Sequence, residues 1–189
     1  QVSITGYTPS QARWGNLVVT FPGRNENSSY AQPATWLTVD EGFIKTMGLT
    51  LVTGRNFLEN HKQDQESIVI NNTAARQFDL NTNGKNPIGM ELSIRNEGET
   101  VYQHYTVVGV VADFNFSSLY QPVKPVIMKV GYHRFEMAIR LTTRYSQQEA
   151  LSKIESIWKQ NLPGIPFEYA FIKDRFDRLH RSDIVSSKI

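Results

Sequence analysis

Apolar residues come in short blocks along this chain, and the densest is the run Tyr105 to Val111, where Val107, Val108, Val110 and Val111 are interrupted only by Gly109. An unbroken block of β-branched residues predicts a strand covered on both faces, because a half-exposed strand would alternate. Gly109 has no Cβ, so it either admits a closely approaching backbone or helix or marks a bulge. Asp113 ends the block. The following FNFSSLYQPVKP reads as an ordered loop with two prolines, and an apolar segment resumes at Val126 to Val130.

The first forty residues read as β-rich, with VSITGY, LVVTF and Ala34 to Val39 as strands and PGRNENSSYAQP as a polar loop between them. Asp40 is placed to cap a short helix that buries Phe43, Ile44 and Met47 and ends at Gly48 in the left-handed conformation. LTLVTGRNF predicts an extended element turning at Gly54-Arg55. Ser67 to Asn71 predicts a strand, followed by a helix capped by Asn72 and burying Ala74, Ala75 and Phe78. NTNGKNPIG is turn chemistry, and MELSI alternates as a strand.

The last third is more regular. Phe135, Met137, Ile139 and Leu141 alternate with Glu136, Ala138 and Arg140, which predicts a strand buried on its Met137 side. Ser146 and Glu149 have capping-box spacing ahead of a helix whose stripe is Ala150, Leu151, Ile154, Ile157 and Trp158, expected to face the core. Pro166 to Ile172 predicts a strand with Phe167, Tyr169 and Phe171 on one face. Strand, helix and strand in that order favour a right-handed βαβ unit. A terminal helix is expected from Asp174, packed by Phe176 and Leu179.

Composition narrows the functional classes. The 189 residues are 40% hydrophobic, enough for a real core, and 20 basic against 18 acidic residues include no block that would track nucleic acid. With no cysteine there is no disulfide, thiolate chemistry or cysteine-ligated zinc. No run approaches the ~18 apolar residues of a membrane span. The chain therefore reads as a soluble protein or as an excised piece of a larger one.

Candidate chemistry is sparse. His61, His104, His133 and His180 are scattered without metal-site spacing. Asp113 to Ser117 imitates the start of a calcium loop, but Ser118 and Lys124 stand where that loop needs Gly and Glu. The pairs Asp174/Asp177 and Glu97/Glu99 fit a helix first turn and a hairpin loop. Trp14 and Trp36 read as core residues before they read as a carbohydrate platform, and Trp158 as part of the helical stripe. No dinucleotide, P-loop or nucleophile-elbow motif occurs. No catalytic, cofactor-binding or metal-binding residue is assigned, and the expectation is a protein that is not an enzyme.

A family resemblance rests on several motifs in order: Val39-Asp40-Glu41-Gly42-Phe43 with Met47-Gly48, Gly54-Arg55-Asn56-Phe57, Ile70-Asn71 with Ala74-Ala75, Asn86-Pro87-Ile88-Gly89, Val107 to Phe114 with Ser118-Leu119 and Pro122, and Pro166-Phe167-Glu168-Tyr169 with Asp174 and Phe176. Together they resemble the periplasmic core domain of MacB/FtsX-type ABC transporter permeases, particularly the two-repeat permeases of Bacteroidetes-like bacteria. The resemblance implies an α+β fold with a porter-like βαβ subdomain and a smaller inserted sabre-like α/β subdomain, and the change of rhythm near Val39 and again near Val130 places the first at residues 1–39 and 130–189 and the second at residues 40–129. It further implies membrane helices before Gln1 and after Ile189, in an inner-membrane protein whose domain faces the periplasm. The implied partners are a cytoplasmic ABC ATPase, a second permease copy and a periplasmic adaptor or effector, with no cofactor and no nucleic acid. The implied role is passing ATP-driven motion to export or to a periplasmic partner. A free-standing extracytoplasmic ligand-binding or sensor module is the competing expectation.

Overall fold

Strand β7, Gln103–Val111, is the strand around which the others assemble. In this computed structural model the described residues are 1–6, 17–20, 32–59, 62–81, 84–96, 100–116, 122–131 and 136–178. One edge of β7 is shared by β6, Glu91–Asn96, and β4, Leu51–Gly54, both antiparallel; its other edge pairs in parallel with β5, Ser67–Asn71. From β5 the sheet continues through β8, Val126–Val130, to β3, Gln32–Val39, then β1, Val2–Thr5, and β9, Glu136–Ile139. Strand β2, Leu17–Thr20, bonds to both β6 and β3, so β2-β6-β7-β5-β8-β3 close into a six-stranded ring. The fold is mixed α+β. The β2–β6 and β3–β8 ladders bond residues of the expected 1–39 part to residues of the expected 40–129 part.

The expected double covering of β7 is present. Inside the ring, Val19, Ala34, Ile68, Leu92, Val107 and Ile127, one from each strand, form a cluster with Ala74 and Ala75 from helix α2, Asn72–Gln77, and with its C-cap residue Phe78. On the opposite face Leu37, Val39, Val69, Val111 and Met128 pack with Phe43 and Ile44 of helix α1, Phe43–Met47. Gly109 does both things its sequence allowed. Opposite it the β5–β7 register shifts between Ile68 and Val69, and an added Cβ would lie 2.3 Å from the Arg55 carbonyl oxygen.

Both short helices begin differently from expectation. Helix α1 has Gly42 at its N-cap with no side-chain cap, because the Asp40 carboxylate is used by β1 instead. It does end at Gly48 in the left-handed conformation, at φ 68°. Helix α2 is capped by Asn71, one residue before the expected Asn72. The buried Asn71 Oδ1 accepts from the amides of Ala74 and Val126, each at 2.9 Å, and its Nδ2 donates to the Lys124 carbonyl. One amide side chain thus caps the helix and fastens the start of β8.

The C-terminal third departs most. Helix α3, Gln147–Asn161, has the expected capping box at Ser146 and Glu149, yet none of its residues is buried. Ile157 is 61% exposed. The expected strand at 166–172 has no ladder partner among the described residues; 166–171 is extended, and 172–178 is helical, starting ahead of Asp174. The half-buried Trp158 packs on this segment and not on the sheet: its indole N–H donates to the Ile165 carbonyl at 2.9 Å, and its ring meets Phe167. Phe167, Tyr169 and Phe171 follow ring against ring at 5.5 and 5.6 Å, as side chains two apart on one face of an extended segment do. Leu179 lies outside the described residues.

Candidate functional site

Strand β9 is where the first residues of the chain, helix α1 and the last described helix meet. It pairs antiparallel with β1 from Val2↔Ile139 to Thr5↔Glu136, and the Arg140 amide extends the ladder by donating to the Gln1 carbonyl at 2.9 Å. Strand β1 is fixed in turn by Asp40, which accepts from the Ser3 hydroxyl at 2.6 Å and from the Ile4 amide. Ser3 and Thr5 are buried on the α1 side of this pair, as is Ala138.

At one end of β9, Arg140 reaches the C-terminus of α1. Its Nε donates to the Thr46 carbonyl at 2.7 Å, where a cation also meets the negative end of the helix dipole. The guanidinium lies over Gly48, and a Cβ there would be 2.2 Å from Nη2, so Gly48 is required by its neighbour as well as by its backbone. At the other end Glu136 pairs with Arg175 of the 172–178 helix at 3.2 Å, with both side chains only about one-fifth exposed, 21% and 22%.

The alternation of β9 was legible, but its expected orientation is reversed. Met137 is 50% exposed and Ile139 and Leu141 are each 36% exposed, whereas Ala138 is 5% exposed. Phe135 lies outside the described residues. The physical reason is that the small Ala138 and the long stems of Glu136 and Arg140 face α1 and the terminal helix, where they find ionic and carbonyl partners. Sequence reading passed over Glu136, Arg140 and Arg175. The available signal was two opposite charges flanking an alanine on one strand face.

The other sequence candidates have structural employment. His104 Nδ1 meets the Ser93 hydroxyl at 3.0 Å and Glu91 at 3.2 Å; both partners address the same ring nitrogen, which is not the relay geometry of a catalytic triad. His61, His133, His180, Trp14, Glu97 and Glu99 lie outside the described residues. The Asp113 carboxylate accepts from the Thr73 amide and hydroxyl and from Arg76, tying the loop after β7 to the first turn of α2. Asp174 and Asp177 are exposed. Trp36 meets Tyr105 at a tilt with ring centroids 5.5 Å apart, and the Lys129 ammonium sits 4.7 Å from the Tyr105 ring centroid while donating to the phenolic oxygen.

Asp64 is a buried carboxylate with several donors. It accepts from Arg55 at 2.7 and 3.0 Å and from the Leu58 amide at 2.6 Å. Burial alone would push its carboxyl up, but the hydrogen bond from Arg55, that from Leu58, the Arg55 charge and the Ser67 hydroxyl outweigh burial and hold it below the usual range. Asp64 fixes the loop after β4 against the start of β5, and the pair is a clasp for the fold.

A family model described as MacB-like periplasmic core domain matches residues 1–157. No curated protein matches the chain. Among solved structures, the chain is similar to the periplasmic region of MacB from Actinobacillus actinomycetemcomitans, with a TM-score of 0.55 at 19% identity over 85% of this chain and 66% of that one. It therefore spans just under two thirds of that periplasmic region. Similar too are the extracellular domain of the noncanonic ABC-type transporter YknZ from Gram-positive bacteria, at 0.52, 14% identity, and 85% and 75% coverage, and a domain of a protein described as a permease from Porphyromonas gingivalis, at 0.52, 16% identity, and 90% and 78% coverage. At these identities the structures establish the fold.

Proposed function

The chain belongs to the MacB-like periplasmic core domain family, and from that premise we propose that it passes ATP-driven motion from a cytoplasmic ABC ATPase to export or to a periplasmic partner. In this reading it carries no reaction of its own. Membrane helices flank it before Gln1 and after Ile189, a second permease copy stands beside it, and a periplasmic adaptor or effector receives the motion. Residues 1–39 and 130–189 act as the porter-like part and 40–129 as the sabre-like part, two regions of one sheet. Among the described residues no helix is long and apolar enough to cross a membrane.

The observation that supports transmission is the double attachment of β9. Motion arriving at Gln1 reaches β9 through the β1 ladder, and motion arriving through the 172–178 helix reaches it through the Arg175–Glu136 pair. Arg140 then carries either displacement to α1 and the packed sheet. The test is Glu136→Lys in the full-length permease. Export falls while the ATPase continues to turn over, and the reversed pair Glu136→Lys with Arg175→Glu restores export. A normally expressed Glu136→Lys permease that exports like wild type would remove β9 from the route.

A further inference from the structure

Helix α2 packs at one end of the ring, and a different set of side chains gathers at the other. Strand β5 leads straight into α2, β7 runs parallel to β5, and β8 and β3 run the opposite way, so the starts of β5 and β7 and the ends of β8 and β3 lie away from that helix. There Tyr105 of β7, buried in the inner cluster, meets Trp36 of β3, three strands away round the ring, so their contact crosses the ring's interior. Lys129 of β8 stands two residues beyond Ile127 of the inner cluster and therefore shares its face. Its ammonium sits 4.7 Å from the Tyr105 ring centroid and donates to the phenolic oxygen at 3.0 Å. That hydroxyl donates onward to the Gln103 side-chain oxygen.

The direction of this hydrogen-bond chain decides what the end of the ring can hold. The Tyr105 oxygen accepts from Lys129, its proton goes to Gln103, and the Gln103 carbonyl is engaged in turn. What remains is donors: two ammonium hydrogens of Lys129, the Gln103 amide NH2 and the Trp36 indole N–H, none of them with an acceptor among the described residues. No carboxylate of a described residue lies within ion-pairing distance of Lys129. A cation and further donors beside two aromatic rings match anionic oxygen carried on an apolar body. We propose that the end of the ring opposite α2 binds a small organic anion, its carboxylate or phosphate oxygens on Lys129 and Gln103 and its apolar body against Trp36 and Tyr105. Gln103 is exposed and Lys129 and Trp36 are partly buried, so the donors are reached from solvent above a buried Tyr105. The site involves no residue of β9 and stands whether or not the chain transmits motion.

The chain has three tryptophans, so its indole N–H resonances are few, and the one lost in Trp36→Phe is that of Trp36. Titrating the 189-residue chain with benzoate or phenyl phosphate should shift that resonance saturably. Whichever of the two binds more tightly marks the natural ligand as a carboxylate or a phosphate ester. Lys129→Met should weaken the binding on the order of tenfold or more, the worth of one charge-assisted hydrogen bond, while Lys129→Arg retains most of it. Benzamide, which has the shape of benzoate without its charge, makes the same comparison on the unaltered protein and should bind at least about tenfold more weakly than benzoate. The proposal is overturned by the absence of a saturable shift with both anions, by a shift confined to Trp14 or Trp158, by benzamide binding as tightly as benzoate, or by wild-type affinity in a folded Lys129→Met chain. No ATPase or membrane enters the measurement, so failure here is separable from failure of the transmission reading.

Discussion

The six-stranded ring and the arm made of α3 and the segment 165–171 packed on it carry apolar patterns of similar quality but resolve them in different ways. In the ring the pattern is satisfied from both sides: Ile68, Ile70 and Val107 on one face and Val69 and Val111 on the other are at or below 1% exposure. In the arm, a stripe of comparable regularity with a complete capping box buries none of its residues. The difference shows that periodicity specifies a face without specifying what covers it. Ring residues are covered by strands bonded in register, whereas arm residues depend on a contact between elements that share no ladder.

The sharpest way to break that comparison is truncation at one large side chain in each region. Phe43→Ala removes a fully buried ring from between α1 and the sheet and should cost about 3–5 kcal/mol, through lost transfer energy and a residual cavity. Trp158→Ala should cost about 1 kcal/mol, since the indole is half-buried on its own arm, and should leave the cooperative unfolding of the sheet unchanged. Chemical denaturation followed by far-UV circular dichroism measures both. Equal losses would mean that the arm belongs to the core.

Glycines sharpen it further. At Gly109 an alanine Cβ would lie 2.3 Å from the Arg55 carbonyl oxygen, a backbone atom that yields only if β4 and its turn move. Gly109→Ala should cost about 3 kcal/mol, the upper range for overpacking. Gly164, at φ 92° in the arm, has nothing within 4 Å of an added Cβ, so Gly164→Ala should cost about 1 kcal/mol of local backbone strain and leave the sheet's unfolding midpoint in place.

These contrasts also show what was readable from the residues alone. The Tyr105 to Val111 block announced a doubly covered strand because unbroken Val-rich runs have few other uses, and the capping box at Ser146 was legible because it is local. The α2 cap was misplaced by one residue because Asn71 and Asn72 have the same chemistry; only the approach of Val126 and Lys124 selects Asn71. The reversed face of β9 was hidden because Arg140 finds its partner in α1, ninety-four residues away. The candidate site stayed out of reach for the same reason, since each of its ties joins residues far apart in sequence.

Acid separates the regions by charge. Asp64 has its carboxyl held below the ordinary value of 3.8, so its contribution is present above that value and is lost as pH falls through the lowered folded one. Asp64→Asn should therefore destabilise the sheet by about 2 kcal/mol near neutral pH, by leaving Arg55 and the Leu58 amide with a poorer acceptor. The gap between variant and wild type should narrow below about pH 3.8, as the wild-type carboxyl protonates too. A gap constant from neutral pH to strong acid would show that Asp64 acts through its shape and not its charge.

The smallest expected effect lies entirely within the arm. Ser146 accepts from the Glu149 amide, and the Glu149 carboxylate accepts in return from the Ser146 amide at 2.8 Å and hydroxyl at 2.7 Å. The side-chain bond from Ser146, followed by that from its amide, holds the Glu149 carboxyl below its ordinary 4.5. Its stabilising effect is thus present above 4.5 and lost as pH falls through the lowered value. Ser146→Ala should cost α3 about 1 kcal/mol of helix stability, because the two bonds made by the Ser146 hydroxyl disappear while the amide bond to Glu149 remains. Since no residue of α3 is buried, that loss should stay local: amides of the first turn exchange several times faster, while those of β5 and β7 keep their protection. Faster exchange in β5 as well would show that arm and ring unfold as one unit, and that the arm is as much a part of the cooperative core as the strands are.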